Sequence, residues 1–181
     1  GGTWRIPAPG PLVADSVLAV GMAGKPDTHD LREAAGAAVR AAGSVKSILV
    51  ALPATSQKSL AAVCEGALLG AHVPLRVSGK PAPDPVGAIT VASAAPRAAR
   101  SAVKRGAVAD VKATALARDL VNEPPVSLTP AAFAATAKKQ CKGLPIKVSV
   151  WEPQRLLKES MGGIMGVGQG SANPPRLVHL E

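Results

Sequence analysis

The chain contains no tyrosine, one phenylalanine and two tryptophans among 181 residues. Its core must therefore be packed by alanine, valine and leucine, small side chains that let helices and sheets approach one another closely. Two cysteines, Cys64 and Cys141, stand outside any CxxC spacing, which excludes a disulfide framework. Both read as small apolar residues buried in a reducing compartment. The three histidines, His29, His72 and His179, are isolated. None is joined by a second histidine or a carboxylate at i+4 on a strong helix face, as a zinc protease helix requires. No stretch of roughly 18 apolar residues is present to span a membrane. The opening GGTWRIPAPGPLVAD lacks the basic and apolar regions of a signal peptide, so a cytoplasmic protein without a membrane partner is expected. Acidic residues are scarce, 12 against 21 Lys and Arg, for a net charge of +9. Such an excess attracts acidic or phosphate-rich partners, although no Lys/Arg run is as dense as a nucleic-acid tail.

What is present is a strand and helix alternation. Residues 16–21 (SVLAVG) form an apolar run bounded by Pro and Gly, the pattern of a buried strand. The period then changes: Leu31, Ala34, Ala35, Ala38, Val39 and Ala42 lie on one helical stripe, with Asp27 or Thr28 as its cap and Gly43 at its end. SILVAL (47–52) is a second strand, Leu60, Val63, Cys64, Ala67 and Leu68 repeat the stripe between Ser56 and Gly70, and VGAITVA (86–92) is a third strand. This order predicts an α/β domain over 1–95, with a mostly parallel or mixed sheet flanked by helices.

A long helix is expected from Arg97 to Val121, entered by Pro96, ended by Pro124 and lined by Val103, Ala107, Val111 and Ala115. It forms a connector over 96–123. A second α/β unit, 124–181, restarts at Thr129 as N-cap and Pro130 as first helical residue, with Phe133 and Ala137 facing inward. IKVSVW (146–151) reads as a strand, EPQRLLKES as a short helix, and GGIMGVG and PRLVHLE as strand candidates. The last of these strands would expose an apolar edge at 177–180, so these residues are expected to be either paired with a further segment or disordered.

The chemistry-bearing patterns are sparse. Gly166, Gly168 and Gly170 resemble a phosphate loop only superficially, since prolines 174 and 175 stand where a helix would have to start and no Walker lysine follows. A GxSxG nucleophile elbow is absent, and neither cysteine has a cation placed to lower its thiol pKa. In the second unit the acidic residues are Glu123, Glu152, Glu159 and Glu181, scattered singly. Two metal ions need several convergent carboxylates, so no catalytic, metal or cofactor residue is assigned within this chain. The basic positions Arg97, Arg100, Lys104 and Arg105 are the candidate nucleic-acid contacts.

ARDLVNEPP (117–125), followed by Leu128-Thr129-Pro130, and MGGIMGVGQGS (161–171), followed by Pro175-Arg176-Leu177, together resemble the leucyl aminopeptidase family. DLREAAGAAVRAAG and AAVCEGALLGAHV look like that family's N-terminal domain, with Ala71-His72-Val73-Pro74 departing from its usual aromatic continuation. The resemblance implies a homohexameric, cytoplasmic metallo-aminopeptidase that removes N-terminal residues, leucine favoured, from peptides. It also implies two divalent ions, zinc, manganese or magnesium, whose ligands lie beyond residue 181, and an interdomain role for Arg118, Asn122 and Pro124. The 181 residues alone are then expected to be inactive. The rival reading is a non-enzymatic assembly or DNA-binding module built on the basic α/β domain, and some family members do bind DNA.

Overall fold

The computed structural model describes residues 2–22, 24–74 and 84–181. The architecture is mixed α/β, with small two-stranded sheets flanked by helices. The chain divides into two compact units, Gly1–Val121 and Asn122–Glu181.

In the first unit, β1 (Thr3–Pro7) pairs antiparallel with β2 (Ser16–Val20). The expected strand at 16–21 is present, but its partner is a hairpin neighbour that the sequence reading did not identify. In TWRIP the apolar residues alternate with arginine and end at a proline, and all five residues are exposed, so no buried run marks the strand. The parallel pairing expected here occurs between β3 (Ser47–Val50) and β4 (Ala88–Val91), in register from Ser47 opposite Ala88 to Val50 opposite Val91. Parallel strands need a crossover between them, and α2 (Gln57–Gly70) supplies it.

Helix α1 (Thr28–Ala42) begins where the choice between Asp27 and Thr28 resolves to Asp27. Its carboxylate accepts from the backbone N–H of His29 at 2.7 Å and of Asp30 at 2.9 Å, while Asp30 accepts in return from the Asp27 N–H at 3.0 Å. This reciprocal box satisfies donors that the first turn cannot pair internally. The two bonds from Asp30 and His29 hold the Asp27 carboxyl below the usual aspartate range. At the other end Gly43 adopts φ 71°, the left-handed geometry that favours glycine.

All six stripe residues of α1 are buried, from Leu31 to Ala42. Of these, Leu31, Ala35 and Val39 meet Leu60, Val63 and Ala67 of α2, Val50 of β3 and Val103 of α3 (Arg97–Asn122) in one core. The scarcity of aromatics shows directly in how α1 and α2 approach each other. A Cβ added at Gly66 would fall on the Arg32 carbonyl, and one added at Gly70 would lie 2.6 Å from the Gly36 oxygen. Such close backbone contact offsets the small size of the side chains by bringing more atoms within dispersion range. Along α3, Val103 and Ala107 are buried, but Val111 and Ala115 are only half-buried. Cys64 and Cys141, expected to be buried, are also half-buried.

In the second unit, α4 (Pro130–Gln140) starts as expected, with the Thr129 hydroxyl accepting from the Ala132 N–H at 3.2 Å and Pro130 opening the helix. Its inward face differs: Phe133 is exposed and Ala134 is the buried residue. A small side chain suits close approach, and Ala137, also expected to face inward, is half-buried. β5 (Val148–Trp151) pairs antiparallel with β6 (Leu177–Leu180). Among the described residues the other edge of β6 has no partner strand, so the further segment that would pair with 177–180 is not found there. α5 (Pro153–Lys158) buries Leu156 completely.

GGIMGVG is not a strand but a helix, α6 (Gly162–Gly168). Short apolar runs fit either period, and here the backbone chose i→i−4 bonds, from Met165 N–H to Met161 at 3.2 Å and from Gln169 N–H to Met165 at 3.0 Å. Gly168 is required at the end of that helix because the ring of Pro175 lies where a Cβ would project.

Candidate functional site

Four groups of residues in the described structure carry charge or reactive chemistry. The first is the basic start of α3. Arg97, Arg100, Lys104 and Arg105 are all exposed, but they are not equivalent. Arg100 turns back on the strand-to-helix loop, donating from Nη2 to the Ser93 carbonyl at 3.0 Å and from Nε to the Ala95 carbonyl at 3.1 Å. A cation near a helix N-terminus opposes the helix dipole, and these two bonds offset that cost. Arg100 thus secures the loop and, with Lys104, borders a cleft against α2 and β4, while Arg97 and Arg105 are exposed and outside that cleft's lining.

The second group is a pair that the sequence reading missed. Nε2 of His72, just past α2, lies 3.2 Å from Oδ1 of Asp119 near the end of α3. Both atoms are buried, and neither has a hydrogen-bonding partner of correct alignment among the described residues, so the contact has ion-pair distance without hydrogen-bond geometry. No sequence signal links the two residues, because each stands alone in its own segment. His29 also has a carboxylate one turn on, contrary to the expectation that it was isolated. Glu33 lies 3.7 Å away, but both side chains are 71% exposed, as befits a surface pair of little energetic weight.

Nucleophile activation finds no support. Burial, and then the neighbouring Glu65 carboxylate, push the Cys64 thiol upward, away from the thiolate that reacts. The glycine segment forms no phosphate cradle, since Gly166 and Gly168 belong to a seven-residue helix and Gly170 follows it. His179 lies opposite Ser149 on β6 and is exposed.

The third group is the set of carboxylates in the second unit. Glu152 faces Nε of Arg176 at 3.8 Å and Glu181 faces Nζ of Lys147 at 3.1 Å. Each is turned towards a single cation, and Glu159 is exposed. Among the described residues no group of three His, Cys, Asp or Glu is placed to hold a metal ion. The donors present do not fit a two-metal centre, which requires shared carboxylates between the ions.

The fourth group surrounds the junction of the two units in sequence. Arg118 and Asn122 occupy the last turns of α3, both exposed. The Pro124 carbonyl accepts from the N–H groups of Ser127 and Leu128 at 3.0 and 2.9 Å and from the Ser127 hydroxyl at 3.0 Å. This turn delivers Thr129 to its capping position. Further along, the Arg155 guanidinium stacks 4.0 Å over the Trp151 ring, a cation–π contact.

Comparison with known proteins places these elements in a wider frame. The model of the N-terminal domain of the cytosol aminopeptidase family matches residues 1–80, and that of the same family's catalytic domain matches residues 115–181. A probable cytosol aminopeptidase of Leifsonia xyli subsp. xyli is 39% identical over 175 residues, covering 95% of this chain and 35% of the relative. One from Streptomyces griseus subsp. griseus is 41% identical over 198 residues, covering 97% and 38%. Among solved structures, the bottromycin maturation enzyme BotP in complex with Mn superposes with TM-score 0.79 at 32% identity, over 99% of this chain and 38% of that one. A tomato leucine aminopeptidase mutant shares the fold, with TM-score 0.80 at 23% identity over 99% and 37%. The chain thus spans little more than a third of the length of these relatives.

Proposed function

The chain belongs to the cytosol aminopeptidase family, and from that premise we propose that it is the N-terminal part of a metal-dependent aminopeptidase that removes N-terminal residues, leucine favoured, from peptides. The observation that carries the proposal is the succession of the family's two domains along one chain, in the family's order. The 39% and 41% identity to probable cytosol aminopeptidases supports it as well.

In this reading the described residues are framework. Helix α3 leads from the core of the first unit, and Arg118, Asn122 and Pro124 serve the passage between domains. Because the carboxylates here do not fit a two-metal centre, no catalytic step is assigned to them. The enzyme as a whole takes two divalent cations, manganese, zinc or magnesium, which supply Lewis acidity. Manganese is the first to test, since BotP was solved with it. A cytoplasmic homohexamer acting on peptides completes the proposal. The DNA-binding alternative is not favoured, since both domain models that the chain matches are those of a peptidase family.

Hydrolysis of leucine p-nitroanilide with added Mn²⁺ tests the proposal. The 181 residues alone should show no turnover, whereas a chain of the relatives' full length carrying these residues should be active and lose activity to a chelator. Metal-dependent turnover by the 181 residues, or inactivity of the longer chain with all three metals, refutes it.

A further inference from the structure

The first unit carries a cleft of about 340 Å³ bounded by α2, β4 and the first half of α3, at the lower end of the range for small-molecule sites. Its walls are mainly apolar, with Leu60 and Leu68 from α2, Ile89 from β4 and Val108 from α3, and Thr90 and Ser93 add uncharged polar groups. Its charged lining is of one sign: Arg100 and Lys104, one helical turn apart, and no acidic side chain among the described residues. Arg100 is already oriented by its bonds to the Ser93 and Ala95 carbonyls. Lys104 takes part in no ion pair among the described residues. Cys64 adds no negative charge, because its burial favours the neutral thiol.

We infer that this cleft binds a medium-chain monocarboxylate, its alkyl chain against the apolar walls and its carboxylate at Lys104 and Arg100. Charge complementarity selects the head group, and a free amino acid is disfavoured because no acidic side chain among the described residues lines the cleft to receive its ammonium. This site is separate from the peptidase reading and stands or falls without it.

Calorimetric titration of the 181-residue chain with butanoate, hexanoate and octanoate tests the inference, with octylamine and octan-1-ol as head-group controls. Octanoate should bind saturably, with affinity rising about two- to fourfold per added methylene, and octylamine should not bind. Lys104→Glu, a change at an exposed position, should weaken octanoate at least tenfold without altering the melting temperature. Absence of saturable binding, octylamine as tight as octanoate, or indifference to Lys104→Glu overturns the inference. Tighter binding of an N-acetylated apolar tripeptide with a free C-terminus also overturns it, since the cleft would then take peptide ends.

Discussion

Replacing Gly66 by alanine sets two effects of opposite sign against each other. In an exposed helix interior, alanine is more favourable than glycine by about 1 kcal/mol. At position 66, however, the added Cβ would overlap the Arg32 carbonyl, standing 2.8 Å from its carbon and 2.9 Å from the Arg32 Cα. Both atoms belong to the α1 backbone, so no side-chain rotation relieves the contact. Restoring an ordinary 3.4 Å to that carbon alone parts the helices by about 0.6 Å, and the carbonyl oxygen, which lies nearer still, requires more. A gap of 0.5–1 Å forfeits roughly a quarter to a half of the dispersion energy of the atoms it separates. Those atoms include Leu31, Ala35 and Val39 facing Val63 and Ala67, the centre of the core. Overpacking of this kind costs about 1–3 kcal/mol, and the absence of any compliant neighbour places Gly66→Ala at the upper end. After the gain in helix propensity, the expected net loss is about 2 kcal/mol. Gly106 in α3 is the matched control, since nothing lies within 4 Å of its added Cβ. Gly106→Ala should stabilise the chain by about 0.5–1 kcal/mol. Urea denaturation followed by far-UV circular dichroism measures both. If Gly66→Ala is as stable as Gly106→Ala, the close-packing account of the α1–α2 interface is wrong.

Two further outcomes concern the cap of α1 and the second unit. Because backbone N–H bonds depress the Asp27 carboxyl, its stabilising contribution is fully present above the unfolded-state pKa of about 3.9. It is lost as pH falls through the lower folded value, so Asp27→Asn should flatten the acid limb of the stability curve; an unchanged limb counts against the capping box as its source. Leu156 is fully buried on α5. Leu156→Ala should cost about 2–5 kcal/mol and broaden the amide spectrum of residues 148–180, a result absent if that unit owes its order to other contacts.

The parts legible in the sequence are those in which one residue's neighbours along the chain decide its state. The α1 stripe, its Asp27 start and its Gly43 stop were all readable, because helix periodicity and capping act within a turn or two. The family blocks at 117–125 and 161–171 were readable for a related reason: they are linear strings. Where two distant segments must meet, neighbours along the chain do not name the partner. Strand β2 took β1 as its partner rather than a parallel neighbour, α4 buried Ala134 in place of Phe133, and GGIMGVG wound into a helix whose last glycine accommodates the Pro175 ring.

The residue types alone dictate a core packed by small side chains. Only the tertiary structure decided what that smallness allows, the backbone-to-backbone contact of α1 with α2 through Gly36, Gly66 and Gly70. It also brought His72 to Asp119, and it bound Arg100 to its own loop and set it beside Lys104 at one cleft. The reason is physical: propensity and periodicity are settled over a few residues, whereas the partner of a strand, a glycine or a charge depends on which surfaces the whole packing brings within a few ångströms.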